Sequence, residues 1–149
     1  MAMKLAAILS NPPLTAGVRT MNRVELARKL LHCDSVTVAN LFPLATHQSG
    51  DIRSSGVDPA RWLDARPSII DSLDGASTVL LAYGVSEPSG EARLHFREQV
   101  EWLATEILNR NLIVVQFAGR PMHPSRWHRH TYRAFPGMPF EEAAEAVFA

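Results

Sequence analysis

Four short apolar runs, spaced along the chain with helical patterns between them, restrict the fold more than any other feature. They are LAAIL (5–9), VTVAN (36–40), TVLLAY (78–83) and LIVVQF (112–117). Each is nearly continuous in hydrophobicity. A strand with one wet face would alternate polar and apolar residues, whereas a strand covered on both faces need not. The runs therefore read as parallel strands held between two layers of helices.

The segments between them supply the helices. Residues 22–32 place Val24, Ala27 and Leu31 on one face, with Leu26 and Leu30 alongside, and Asn22 with Glu25 has the spacing of a capping box. Residues 91–109 carry Phe96, Val100, Leu103 and Ile107 at spacings of four, three and four, which gives one apolar face. In 59–73, Pro67 divides a turn or two around Trp62 from a second short helix. The final EEAAEAVFA follows Pro139 and reads as a short terminal helix.

The order β-α-β-α-β-α-β, then a polar segment and a helix, predicts an α/β domain. Its architecture would be three-layer α/β/α around a central, mostly parallel sheet of about four strands. A chain of 149 residues suits a single domain over 1–149, with 118–149 as a long polar loop plus a short helix. Loops 41–58 and 118–138 exceed what a connection needs, and loops of that length usually carry function.

Charge bears on partners. Lys plus Arg is 15 and Asp plus Glu is 15, so the net charge is zero. Nothing global draws such a chain to nucleic acid or membrane, and an anionic partner has to be met by a local patch. The single cysteine, Cys33, allows no internal disulfide and sits where a helix ends before a strand, which reads as structural rather than as a catalytic thiol. The opening MAMKLAAIL is too short in its apolar part for a signal peptide, so the expected location is the cytoplasm. No cofactor is called for.

The local patch exists. AGRPMHPSRWHRHTYR (118–133) holds four arginines, three histidines, a tryptophan and a tyrosine, and no acid. The spacing of His123, His128 and His130, without a nearby thiol or carboxylate, does not suit a metal site. Arg120, Arg126, Arg129 and Arg133, joined by Arg19 and Arg23 after the first loop, suit phosphate through forked hydrogen bonds. Trp127 and Tyr132 offer stacking or cation–π contacts.

In an open parallel sheet, ligands bind at the carboxyl ends of the strands. Ser10-Asn11-Pro12-Pro13 follows the first run, Asn40-Leu41-Phe42-Pro43 closes the second, Tyr83-Gly84 the third, and Gly119-Arg120 with His123-Pro124-Ser125 follows the fourth. Parallel topology brings all four to one rim. Asn11, in a loop stiffened by two prolines, can place an amide or a water, or simply turn the chain. The amide of Asn40 suits the edge of a nucleobase, or ties down the next loop. Phe42 can stack on a base or pack in the core. His123, extended before a proline, can donate to a carbonyl or anion from a defined nitrogen.

With these residues assembled, the series resembles the uracil-DNA glycosylase superfamily in order and strand position: LSNPP (9–13), VANLFPL (38–44), LLAYG (80–84) and HPS (123–125). At closer range the chain looks like the bacterial and phage "domain of unknown function 1643" family, in NPP…RT…NR (11–23), NLFPLAT (40–46), LLAYG and GRPMHP (119–124). That second family brings no established activity.

The first resemblance implies a glycosylase-like fold and N-glycosidic cleavage. Asn11 would position a water or stabilise the sugar cation, Asn40 would read a base edge, and His123 would face the oxygen of the departing base. On the reading of the rim residues themselves, Gly84, Ser125, Phe42, Arg19, Arg120 and Arg126 would complete substrate binding. The ligand would be a nucleotide or nucleic acid, including DNA with a modified base. The chain departs from the pattern in two places. Ser10 and Pro13 replace small residues in a first loop that holds no Asp, and Arg126-Trp127 follows His-Pro-Ser in place of an apolar wedge. The alternatives are a non-catalytic nucleotide or nucleic-acid binder of the same fold, a phosphate-ester hydrolase using His123 and the arginines, and a basic module that docks an acidic protein.

Overall fold

A computed structural model of the chain describes residues 2–13, 17–45 and 52–148. Thr46, the last residue of the NLFPLAT stretch, and parts of the 11–23 and 41–58 segments lie outside these. The described elements run β1 (Lys4–Leu9), α1 (Val18–Leu30), β2 (Ser35–Asn40), α2 (Ile52–Ser55), α3 (Pro59–Asp64), α4 (Arg66–Leu73), β3 (Thr78–Leu81), α5 (Glu91–Asn109), β4 (Ile113–Gln116), α6 (Trp127–Ala134) and α7 (Phe140–Val147).

The four strands form one parallel sheet in the order β2-β1-β3-β4. β1 lies inside it, with Leu5 through Ile8 fully buried, which is why its sequence is apolar without alternation. Its residues divide between two cores. Leu5, Ala7 and Leu9 pack with Val24 and Ala27 of α1, Trp127 of α6 and Ala144 of α7. Ala6 and Ile8 pack with Ile69 and Leu73 of α4 and with Leu103 and Ile107 of α5. The result is a three-layer α/β/α arrangement. Among the described residues no helix is long and apolar enough to cross a membrane.

Several local expectations are corrected. The expected cover on both faces holds for β1 but not at the sheet edge, where Ile113 and Val114 of β4 are exposed. α1 begins at Val18, before the expected 22. Gly17 sits at its start with φ 64°, a left-handed conformation that turns the chain there. Asn22 is therefore an exposed residue inside the helix, and Glu25 pairs with Arg28 rather than capping.

Segment 118–138 is not a long loop. It contains a 3-10 turn, Pro124–Arg126, that runs into α6. Trp127 and Thr131, one helical turn apart, are buried and anchor that helix. The short helix α2 was not anticipated. The division of 59–73 into two short helices stands as expected, although the break is at Ala65 and Pro67 lies in the first turn of the second, and the helix after Pro139 also stands.

The sheet order places a crevice. The chain leaves β1 toward α1, on one face, and leaves β3 toward α5, on the other. Adjacent strands whose connections diverge in this way open a gap at their carboxyl ends. Backbone hydrogen bonds carry the lateral pairing beyond the strands: Leu41 N–H to Leu9 O (2.9 Å), Phe42 N–H to Ser10 O (2.9 Å), Ala82 N–H to Ile8 O (2.9 Å) and Gly84 N–H to Pro121 O (2.7 Å). These bonds stitch the four strand-end loops together around the gap.

Candidate functional site

The gap is a cleft of about 560 Å³, within the range of small-ligand sites. Asn11, Asn40, Phe42, Gly84, His123, Ser125 and Arg126, seven of the nine residues singled out from sequence, line it. Arg19 and Arg120 do not; both are exposed elsewhere.

His123 has the most defined chemistry. Its Nδ1 accepts the Ser125 backbone N–H at 3.1 Å and lies 2.9 Å from the Ser125 hydroxyl. A backbone N–H can only donate, so Nδ1 is unprotonated and the neutral ring carries its proton on Nε2. Nε2 has no partner among the described residues and is not sealed from solvent. Burial, reinforced by the Arg126 and Arg23 guanidiniums, pushes the imidazole pKa below its ordinary 6.5. His123 therefore presents a neutral N–H donor.

Asn40 ends β2 opposite Leu9 and is half-buried. Its amide has no hydrogen-bond partner among the described residues. Asn11 differs, because its Nδ2 donates to the Leu44 carbonyl at 3.1 Å and so ties the first loop to the second. Gly84 adopts φ 99°, which a side chain resists, and its N–H holds the Pro121 carbonyl.

For Phe42 the structure decides between the two open readings, and for Trp127 it corrects the expected stacking role. The Phe42 ring is fully buried against Trp62, with centroids 4.8 Å apart, and has no open face for a base. Trp127 is fully buried too. It stacks on Phe117 at 4.7 Å, meets Phe148 edge-on, and donates Nε1–H to the Met122 carbonyl at 2.9 Å. It is a core residue, unavailable as a wedge or a stacking platform. Arg23 is also committed, donating to the Pro124 carbonyl at 2.7 Å.

Two lining residues, Phe96 and Glu87, were not foreseen, and a third, Tyr83, was placed on the rim without a role. Tyr83 and Phe96, half-buried and edge-to-face at 5.9 Å, form an aromatic wall. Burial pushes the Tyr83 phenol pKa up, so the hydroxyl stays protonated. Glu87 is the one carboxylate among the described lining residues, and Arg97 at 2.7 Å and Arg93 at 3.7 Å hold it. Tyr83 was visible as the residue before Gly84 at a strand end. Glu87 lies in a patternless loop.

Cys33 is not in the cleft. It lies in the α1-side core, where burial pushes its thiol pKa up. Among the described residues no three His, Cys, Asp or Glu side chains gather into a metal-binding group. No family model, curated protein or solved structure matches this chain.

Proposed function

We propose that the cleft takes a nucleobase and that the protein is a glycosylase-like enzyme that breaks an N-glycosidic bond in a nucleotide or in DNA. One observation carries this reading: an unpartnered amide, Asn40, and a neutral imidazole donor, His123 Nε2–H, line the same pocket. An amide supplies donors and an acceptor for the edge of a planar base. A neutral N–H donor fits the oxygen of a base that departs with extra negative charge. The resemblance of the strand-end motifs to the uracil-DNA glycosylase superfamily supports the same assignment.

In the proposed reaction the bond between the sugar C1′ and the base nitrogen breaks, and its electron pair leaves with the base. His123 stabilises the resulting anion by a hydrogen bond. Water adds to C1′, and its proton ends on the base, so the products are free base and a hydroxylated sugar. Asn11, oriented by Leu44, places that water. Arg126 at the rim meets a phosphate.

The test is mass spectrometry of products from nucleosides, nucleotides and single- and double-stranded DNA carrying uracil or other modified bases. Free base released by the wild type and lost in His123→Ala and Asn11→Ala supports the enzyme. Intact substrates throughout refute it, and release of inorganic phosphate would indicate phosphate-ester hydrolysis instead.

A second reading is a non-catalytic binder, favoured because the Asn11 amide is committed to Leu44 and Glu87 is committed to two arginines. In that case Asn11→Ala weakens ligand affinity and there is no turnover to lose.

A further inference from the structure

Many arginines of this protein are committed to partners. Arg28, Arg61, Arg93, Arg97 and Arg110 are each within ion-pair distance of a carboxylate. Arg23 and Arg66 donate to Pro124 and Gln99. In contrast, the guanidiniums of Arg120, Arg126, Arg129 and Arg133 have no hydrogen-bond or ion-pair partner among the described residues. The acids of neighbouring α7, Glu141, Glu142 and Glu145, pair with none of them. The guanidiniums of Arg19 and Arg53 are likewise without a partner among the described residues but stand singly in other elements, whereas four such guanidiniums fall within fourteen residues of one acid-free segment.

Their placement is ordered. Trp127 and Thr131 turn one side of α6 into the core. Arg129 and Arg133 stand four apart on another side, and Arg126 closes the turn that leads directly into the helix, so the three follow one another from the turn along α6. The row begins at Arg126, which lines the cleft. At 1.5 Å per residue it extends roughly 10 Å along the helix. That length is enough for the row to meet more than one phosphate of a single strand. Tyr132, 72% exposed, is the i+3 neighbour of Arg129 and offers a free ring beside the row.

We propose that this side of α6 is a track for the sugar-phosphate backbone of a single-stranded polynucleotide, leading from the cleft, with Tyr132 as a stacking platform for an unpaired base. This rests on the reading of the cleft as a nucleobase site. Cations beside an exposed ring are the combination that holds single strands without regard to sequence. A free nucleotide would leave Arg129 and Arg133 unused, and a duplex would offer Tyr132 no unstacked base.

The test compares wild type with Arg129→Gln/Arg133→Gln, which spares the cleft, and with Tyr132→Ala. Binding of a mononucleotide, a fluorescent ten-nucleotide single strand and its duplex is measured across a salt series. The expected result is that the single strand binds tighter than the mononucleotide. The double variant should lose about 1.4 from its log-affinity against log-salt slope, about 0.7 for each phosphate contact, and roughly tenfold or more in affinity at low salt.

Mononucleotide affinity should not change. Tyr132→Ala should weaken the single strand with its salt slope intact. An unchanged slope in the double variant, a single strand bound no tighter than the mononucleotide, or duplex preferred over single strand would each overturn the proposal. Loss of mononucleotide binding to the wild type alone, with the arginine-dependent slope retained, would sink the cleft reading and leave the track standing.

Discussion

Gln99 makes a sharp test of how this fold holds its pocket. It is fully buried on α5, where the helical pattern alone would ask for an apolar residue. Its Nε2 donates to the Leu41 carbonyl at 3.0 Å and the Trp62 carbonyl at 2.8 Å, and its Oε1 accepts from Arg66 Nε at 3.0 Å. One side chain thus ties the end of β2, α3 and α4 to α5. Gln99→Leu keeps the volume and removes all three bonds.

The three losses are unequal. The Trp62 carbonyl keeps the Ala65 N–H at 3.2 Å, so that loss is about 0.5–1.5 kcal/mol. The Arg66 guanidinium is only half-buried and turns to water. The Leu41 carbonyl has no other partner among the described residues, and a stranded buried acceptor costs about 1–3 kcal/mol. The total is about 3 kcal/mol, which for a chain of this size lowers Tm by about 6–12 °C. Thermal and urea unfolding measure it. A loss below about 1 kcal/mol would mean that water reaches the Leu41 carbonyl, and the dry-clasp reasoning would be wrong.

Two further outcomes follow from the site. The folded His123 pKa lies below its unfolded value, so the unfolded chain takes up a proton first as pH falls. The stability associated with the neutral ring is therefore complete above pH 6.5 and declines as pH drops from there toward the folded pKa. Urea titrations at a series of pH values should show this slope in the wild type and a flatter one in His123→Asn; parallel profiles would count against a buried neutral ring. At Gly84, a Cβ would meet nothing within 4 Å, yet φ is 99°. Gly84→Ala should therefore lose about 1–2 kcal/mol from backbone strain alone, and an unchanged urea midpoint would show that the loop adapts.

The strands and the rim were legible because continuous apolar runs and parallel topology are properties of whole segments. What escaped depended on single residues. α6 was hidden because its polar residues outnumber Trp127 and Thr131, and the tryptophan looked like a ligand contact while it in fact anchors the helix. Gln99 was hidden because a buried amide has no periodic signature. The start of α1 depends on the backbone conformation of Gly17, which pattern does not encode. Phe42 was open to two readings, and the aromatic partner that decides between them, Trp62, lies twenty residues away in sequence.

The histidine turn itself explains why a neutral donor can be held there. Each carbonyl of residues 121–124 accepts a hydrogen bond, and three of the four donors come from other elements. Gly84 N–H from the end of β3 takes Pro121, Trp127 Nε1–H from α6 takes Met122, and Arg23 from α1 takes Pro124. Arg126 N–H takes His123 within the turn. Pro124 fixes its own φ, and the Ser125 N–H fixes the ring tautomer. With its backbone tied from three directions, the imidazole is held in one orientation before any ligand arrives. Electrostatic stabilisation of a departing anion depends on such a donor being in place beforehand. The same rigidity accounts for the burial of Trp127: a ring free to wedge into nucleic acid would release the Met122 carbonyl and, with it, the residue that precedes His123.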